Sequence, residues 1–271
     1  MVAKSPACNL LHLHIPKCAG STLNPLLTSA YPRGACHKIR VIEGRRSSQH
    51  EFEALAEADR ERLRLVIGHF RYGLHRRLPG DWKYFSFVRE PVSRIVSFYT
   101  YAASTPHHRF YDWIQRESVT FERFIEERTE GDIHNGQTLM LMDEGTFDVS
   151  ADLAIERMRR RYLLTGLTER FDESLFLLWR GLGLGHPPFY MRERVSGGAS
   201  KPHISPELRK RIEELNREDV RLYLWCRRQF EEAVVTAGSG FAPRITRYRR
   251  LNRIYSCMRA FLRSLKRGRK L

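Results

Sequence analysis

The sequence lacks most features that mark exported, metal-binding and membrane-spanning proteins. Its five cysteines are odd in number and widely scattered, and none forms a Cys-x-x-Cys pair. This usage favours neither a disulfide framework nor a zinc site, and it suits a reducing compartment. No secretory signal or membrane-spanning run precedes the first predicted strand. We therefore expect a cytoplasmic protein, unless the sequence is an N-terminally trimmed form.

Acidic residues are scarce, and from Arg244 to Lys270 they are absent. The chain has 47 Lys or Arg against 31 Asp or Glu, a formal charge of +16, which indicates an anionic partner, substrate or surface. The stretch from Arg244 to Lys270 holds 11 of the basic residues, which leaves 36 basic and 31 acidic residues elsewhere. We predict a folded domain over 1–243 and a separate basic segment over 244–271.

That basic segment has the apolar spacing of an amphipathic helix. The apolar positions are Leu251, Ile254, Tyr255, Met258, Phe261, Leu262 and Leu265. A basic amphipathic helix lies on an anionic membrane, docks a partner or polyanion, or packs its apolar stripe on the parent domain. All three remain open at this point. No nucleic-acid recognition fold or stacking motif is evident, so no specific nucleic-acid partner is expected.

The chain also lacks internal repeats and low-complexity linkers, and its apolar segments alternate between strand and helix patterns. The predicted strands are 10–15, 38–42, 65–68, 84–88 and 162–167. The predicted helices are 22–30 with Pro25 in its first turn, 51–64, 92–103, 121–127, 152–161, 171–182 and 206–235. This alternation predicts a P-loop-like, doubly wound parallel α/β sheet with helices on both faces and a helical C-terminal half. Lys17, His69 and Arg89 each follow a strand and are expected along one sheet edge.

Residues 10–22 form the first candidate site. An apolar strand, a small-residue turn and a helix start near Ser21 bring backbone N–H groups together at the positive end of a helix, which binds anions. Lys17 adds a cation, and Ser21 and Thr22 add hydroxyl donors. Lys17 precedes Gly20, whereas the Walker A lysine follows its last glycine. The alternative is an ordinary turn with a solvated lysine.

Residues 87–99 form a second candidate phosphate site. Arg89 ends a predicted strand, Pro91 suits the first turn of the next helix, and Ser97 lies two turns along it. A planar guanidinium and a hydroxyl at this spacing can face one phosphate. For Arg89 alone, a helix-capping ion pair is the weaker alternative. Arg94 is expected to make surface ion pairs.

The two stretches resemble the donor-binding motifs of sulfotransferases. Pro16 to Thr22 is similar to their phosphosulfate loop Pro-Lys-Thr-Ala-Gly-Thr-Ser, with Cys18 where threonine is usual and the two hydroxyl residues reversed. Arg89-Glu90-Pro91 with Ser97 resembles the segment that binds the 3′-phosphate of 3′-phosphoadenosine 5′-phosphosulfate (PAPS). The resemblance is greatest to the carbohydrate branch related to heparan and dermatan uronyl 2-O-sulfotransferases and their bacterial relatives. It covers roughly 10–235 and continues through 68–70, 135–138, 166–172 and 205–208.

This resemblance implies an enzyme that transfers the sulfuryl group of PAPS to a hydroxyl of a glycan or glycolipid. No metal is expected. The implied donor-binding residues are Lys17, Cys18, Ala19, Gly20, Ser21, Thr22, Arg89 and Ser97, and Lys17 is also catalytic because it neutralises the leaving oxygen. The implied location is the cytoplasm with peripheral membrane contact through 244–271, or the Golgi lumen for a trimmed sequence.

The alternatives are a non-catalytic polyanion- or membrane-binding protein and a nucleotide-dependent kinase. The chain lacks a Walker B-like strand ending in Asp, which counts against the kinase.

A base is needed to deprotonate the acceptor hydroxyl, and His69 is the leading candidate. The heparan 2-O pattern resembles His-Gly-His, but this chain has Ile67 at the first position. A packed His69 would leave Glu43, His75 or His134 as the base. His12 and His14 are expected to pack within the first strand.

Other family-like positions have less defined roles. Asn135, Gln137 and Thr138 are tentative substrate-binding residues, although a capped helix start explains Asn135 equally well. Lys201, in the basic 192–201 segment, is a weak candidate for donor phosphate. Thr168 to Asp172 is interpreted as a structural joint without chemistry. Cys18 is expected to be a small filler, or oxidation-sensitive if its pKa is lowered.

Overall fold

The computed structural model describes residues 6–40, 51–128, 133–146, 148–191 and 202–268. Its centre is a parallel sheet of five strands in the order β2-β3-β1-β4-β5. The strands are β1 Asn9–Leu13, β2 Cys36–Ile39, β3 Leu65–Gly68, β4 Trp82–Val88 and β5 Tyr162–Leu167. The apolar runs of the three central strands, β1, β3 and β4, are buried on both faces, as a parallel sheet covered by helices requires.

Helices cover both faces of the sheet and make up most of the chain after β5. The described helices are α1 Gly20–Ala30, α2 Glu57–Arg62, α3 Pro91–Ser104, α4 Tyr111–Arg116, α5 Phe121–Glu127, α6 Gly136–Met140, α7 Ala151–Arg161, α8 Phe171–Gly181, α9 Pro206–Leu215, α10 Arg217–Thr236 and α11 Phe241–Gly268. Short 3-10 turns cover Leu74–Arg77 and Thr168–Arg170. The predicted α/β fold with a helical C-terminal half is confirmed.

Two predicted helices are interrupted. The pattern over 51–64 breaks at Ala56, which is extended, and the Arg60 guanidinium donates to the carbonyl of Glu53 (2.6 Å). In a continuous helix that carbonyl would accept from the amide of Glu57. The helix predicted over 206–235 is divided at Asn216, whose side-chain amide donates to the carbonyl of Ile212 (3.0 Å).

Smaller differences concern element boundaries. Pro25 lies inside α1 beyond its first turn, because the helix begins at Gly20 rather than at residue 22. The weak strand predicted over 38–42 is β2, which ends at Ile39, and positions 41 and 42 lie outside the described residues.

The C-terminal helix α11 begins at Phe241, close to the predicted boundary at 243. Its first turns bury Phe241, Ile245 and Tyr248 in the main core. The division of the chain into two units at 243 stays a prediction. Among the helices that the structure describes, none has the length and apolar character needed to cross a bilayer.

A buried carboxylate joins α6, α10 and α3. Asp219, which is 0% exposed, accepts from the amides of Gln137 (3.1 Å) and Thr138 (2.7 Å) at the start of α6. The guanidinium of the buried Arg94 lies 3.8 Å from a carboxylate oxygen of Asp219. This guanidinium also donates to the carbonyl of Ile133 (3.0 Å). The surface ion pair predicted for Arg94 is therefore wrong, because its face of α3 packs inward.

The start of α10 is capped in return by a residue that precedes α6. The side-chain oxygen of Asn135 accepts from the amides of Glu218 (3.0 Å) and Asp219 (3.2 Å), in the first turn of α10. The side chain of Asn216 accepts from the amide of Asn135 (2.9 Å). Each helix start thus supplies the other with its capping oxygen, which fixes α6 against α10.

We predict that Asp219→Ala lowers the free energy of unfolding by about 3–5 kcal/mol, because Arg94 then stays buried without its carboxylate. Urea denaturation followed by circular dichroism measures the change. Asp59→Ala removes an exposed carboxylate paired with Arg62 at 3.8 Å and should cost less than about 1 kcal/mol. Equal losses in the two variants would contradict the role given to Asp219.

Candidate active site

A cavity of about 510 Å³ opens at the carboxyl edge of the sheet. Its wall contains the loop Pro16 to Thr22 after β1, together with His69 after β3 and Arg89 after β4. Ser97, on α3, lies in the same wall. The structure therefore brings together the eight residues Lys17 to Thr22, Arg89 and Ser97, and it places the predicted base His69 beside them. The volume is within the range of about 300–1,000 Å³ that small-molecule sites have.

The loop after β1 has a tightly wound backbone. Lys17 (φ 68°) and Ala19 (φ 59°) adopt left-handed conformations, and the carbonyl of Ala19 accepts from the amides of Thr22 (3.1 Å) and Leu23 (3.2 Å). Left-handed backbone at non-glycine residues is costly and collects at functional sites. The amides of Gly20 and Ser21 precede these bonds, at the positive end of α1. A turn of this kind at a helix start is an arrangement that can bind an anion.

The lysine of this loop lies over an aromatic ring. Its Nζ is 3.8 Å from the centroid of Tyr101, on α3, which also lines the cavity. The ring attracts the ammonium group and limits its range of positions. Sequence reasoning missed Tyr101, although it lies one helical turn beyond Ser97 on the same face of α3.

Gln137 fixes the backbone of Arg89. Its Oε1 accepts from the amide of Arg89 (2.8 Å), and its Nε2 donates to the carbonyl of Arg89 (2.9 Å). The guanidinium of Arg89 in turn donates to the carbonyl of Lys17 (3.2 Å). The Sγ of Cys18 lies 3.6 Å from the same Gln137 oxygen. The two candidate phosphate sites are thus joined through one buried amide.

The tentative substrate-binding residues are placed differently from the prediction. Gln137 and Thr138 are 0% exposed, and the Thr138 hydroxyl donates to Asp219 (2.8 Å). The side chain of Asn135 caps α10. None of the three lines the cavity. The structure gives them positioning roles, because their side chains bond to protein groups behind the cavity wall.

His69 is oriented by the strand beside it. Its Nδ1 lies 2.8 Å from the carbonyl oxygen of His14. A carbonyl can only accept, so Nδ1 carries the proton and the lone pair of the neutral ring lies on Nε2. The rings of His14 and His69 stack with centroids 4.2 Å apart. Gly68 (φ 146°) precedes His69, and a Cβ there would lie 2.0 Å from the carbonyl oxygen of Ile39.

The other two histidines of the first segment are kept neutral. His12 is fully buried with Nδ1 2.8 Å from the side-chain oxygen of Asn24, and burial lowers its pKa to about 3. Burial and the neighbouring His69 hold the pKa of His14 well below its usual value. His12 packs as expected, but His14 follows the strand and lines the cavity.

Cys18 fills space under the loop. It is 1% exposed, and burial raises its pKa to about 12. The small-filler interpretation holds and the alternative of a lowered pKa is wrong, because desolvation outweighs the attraction of nearby arginines.

The segment after β5 also belongs to the cavity wall. Thr168 and Glu169 line it, although no sequence motif assigns them chemistry. Glu169 accepts from the amide of Glu90 (2.9 Å) next to Arg89, and Thr168 donates to the carbonyl of Val88 (3.0 Å). Phe171 and Tyr190 add aromatic surface to this side.

Two of the alternative bases, His75 and His134, are described by the structure and lie outside the cavity wall. His75 lies against the hydroxyl of Tyr84 (2.9 Å), and neither it nor His134 lines the cavity. Glu43 and Lys201 lie outside the described residues.

A family model identifies the class of protein to which this chain belongs. The model of the sulfotransferase family matches residues 2–225, so the chain belongs to the sulfotransferase family. The resemblance inferred from the two motifs is confirmed at this level. A comparison with curated proteins gave no match. A solved structure similar to this chain is that of mouse sulfotransferase SULT7A1 complexed with PAP, with 16% identity and a TM-score of 0.49 over 85% of this chain and 90% of that chain.

We predict that Gly20→Ala destabilises the loop, because an added Cβ would lie 1.9 Å from Nε2 of His14. The loss should be about 1–3 kcal/mol, the usual cost of overpacking, and thermal denaturation measures it. Adding His14→Ala to Gly20→Ala should remove part of the penalty. Gly185→Ala is the control, because a Cβ there meets no atom within 4 Å. A Gly20→Ala protein as stable as this control would refute the close packing.

Proposed function

We propose that this sulfotransferase uses PAPS as donor and transfers its sulfuryl group to a hydroxyl of a glycan or glycolipid. The observation that carries the proposal is that Lys17 and Arg89 line one cavity and are linked by the hydrogen bond from the Arg89 guanidinium to the Lys17 carbonyl (3.2 Å). A donor with a phosphate at one end and a phosphosulfate at the other requires two anion sites in one cavity.

Arg89 and Ser97 are assigned to the 3′-phosphate. Both side chains are half-buried in the cavity wall. The start of α3 does not compete for this role, since the Glu90 carboxylate already accepts from the amides of Val92 (3.2 Å) and Ser93 (2.8 Å). The phosphate therefore meets side-chain donors, a fork and a hydroxyl, rather than a helix end.

The loop Lys17 to Thr22 is assigned to the phosphosulfate. Its amides, the positive end of α1 and the Lys17 ammonium group provide donors for the bridging oxygen, on which charge develops during transfer. Tyr101 holds the ammonium group in the cavity before the reaction. Transfer of a group with dispersed charge depends mainly on in-line positioning and charge stabilisation, which this loop provides.

His69 is assigned as the general base. A bond forms between the acceptor oxygen and sulfur, and the bond between sulfur and the bridging oxygen breaks, with its electron pair leaving on the bisphosphate product. The acceptor proton passes to Nε2 of His69, which has the lone pair because Nδ1 donates to His14. Ile67, where the 2-O pattern has its first histidine, is buried within β3 and provides no second base.

Charge and resemblance support the proposed acceptor class. The motifs are most similar to the carbohydrate branch, and the chain has an excess of basic residues outside its C-terminal segment, 36 against 31. A mildly basic body suits a polar, often anionic, sugar chain.

We predict that Arg89→Ala weakens binding of adenosine 3′,5′-bisphosphate by about 10- to 100-fold, the range expected when hydrogen bonds to a charged group are lost. Isothermal titration calorimetry measures the affinity. Arg62→Ala, which changes a mostly exposed arginine of α2, is the control. Unchanged affinity in Arg89→Ala, or equal thermal stabilisation of the parent protein by ATP and by the bisphosphate, would overturn the donor assignment.

We predict that His69→Gln lowers turnover by about 10²- to 10⁴-fold, the usual contribution of general base catalysis. Donor affinity should stay near that of the parent protein, because glutamine can still donate to the His14 carbonyl. The measurement is sulfate transfer from PAPS to a glycan acceptor identified by screening, with His186→Gln, an exposed site outside the cavity, as control. Normal turnover would remove His69 from the mechanism, while bisphosphate binding without turnover in the parent protein would favour the non-catalytic binder.

A further inference from the structure

The C-terminal helix α11 uses one face to attach to the domain. Phe241, Ile245 and Tyr248 are buried on this face. Further along, Asn252 accepts from the amide of Tyr190 (2.8 Å), and the Ser256 hydroxyl donates to the carbonyl of Tyr190 (3.0 Å). These contacts fix the orientation of the helix through at least four turns.

A different face of the same helix exposes large apolar side chains. Their exposed fractions are Leu251 40%, Ile254 58%, Met258 52%, Phe261 62% and Leu262 44%. Because successive residues of an α-helix are rotated by about 100°, these side chains form one stripe along α11. The stripe lies roughly a third of a turn around the helix from the attached face. Single exposed apolar residues are common on protein surfaces, but a continuous stripe of this kind marks an interaction site.

The charges around the stripe restrict its partner. Arg244, Arg247, Arg250, Arg253 and Arg259 are exposed on α11. The segment from Arg244 to Lys270 has 11 basic residues and no acidic residue, so a second copy of this helix would be repelled. A narrow apolar stripe between arginines is the composition of helices that lie in the interface of anionic membranes. Each basic residue near such a surface adds to the attraction.

We propose that α11 docks the enzyme on an anionic lipid bilayer, with Ile254 and Met258 inserted at the boundary between headgroups and acyl chains and the arginines among the headgroups. The helix is bonded to Tyr190, which lines the candidate active site. Docking therefore fixes the orientation of the cavity relative to the lipid surface. The inference rests on the helix alone and not on the donor or acceptor assigned above.

The test is co-sedimentation of the full chain with vesicles. We expect binding to phosphatidylcholine vesicles that contain phosphatidylglycerol, little binding to phosphatidylcholine alone, and weaker binding at higher salt. The variant Ile254→Ser with Met258→Ser should bind at least about tenfold more weakly, because it removes two apolar side chains from the lipid. The matched control is Leu224→Ser with Val235→Ser, two residues of α10 that are also exposed, at 44% and 78%.

Three results would overturn the proposal. The first is equal binding of the stripe variant and the control variant to the anionic vesicles, which would indicate a purely electrostatic polyanion surface. The second is equal binding to vesicles with and without phosphatidylglycerol. The third is failure to bind vesicles together with a dimer, detected by analytical ultracentrifugation, that the stripe variant loses, since the stripe would then be an interface between copies. Bisphosphate affinity, measured separately, should be the same in all variants.

Discussion

The buried carboxylate of Asp219 determines where the proposed donor site is held. A buried ion pair is weak evidence for stability, because desolvating two charges costs about as much as their attraction returns. Here the carboxylate also accepts from two amides and a hydroxyl at the start of α6. Arg94 likewise donates to the carbonyl of Ile133. The desolvation cost is offset by these bonds, and the helix start is fixed in one position.

Fixing the start of α6 fixes Gln137, and through it both candidate phosphate sites. The side-chain amide of Gln137 bonds to the backbone of Arg89 on both sides, and the Cys18 thiol contacts it from the phosphate loop. The distance between the two sites is therefore set by a buried group that does not line the cavity. An enzyme that works by positioning depends on such support, since small displacements of reacting groups cost large factors in rate.

The parts of this arrangement that could be predicted from the sequence are those encoded locally. Apolar runs indicated the strands, and the rule that parallel strands share a carboxyl edge brought Lys17, His69 and Arg89 together. The burial of Arg94 and the support role of Gln137 depend on residues of α10, far along the chain, so no local pattern records them. The breaks at Ala56 and Asn216 have a different, local origin, since side-chain hydrogen bonds to nearby carbonyls override helical spacing there.

The position of His14 shows why the alternating apolar pattern of residues 10–15 does not by itself predict what each histidine contacts. Its amide donates to the carbonyl of Gly68 (2.8 Å), which extends the pairing of β1 with β3 by one residue. Its carbonyl accepts from His69, and its ring stacks on the ring of His69 and lies close against the backbone of Gly20. The predicted base and the phosphate loop therefore rest on one side chain. A positively charged His14 would repel the ammonium group of Lys17 and would oppose protonation of His69. The burial that keeps His14 neutral therefore allows the lysine and the proposed base to lie in one cavity.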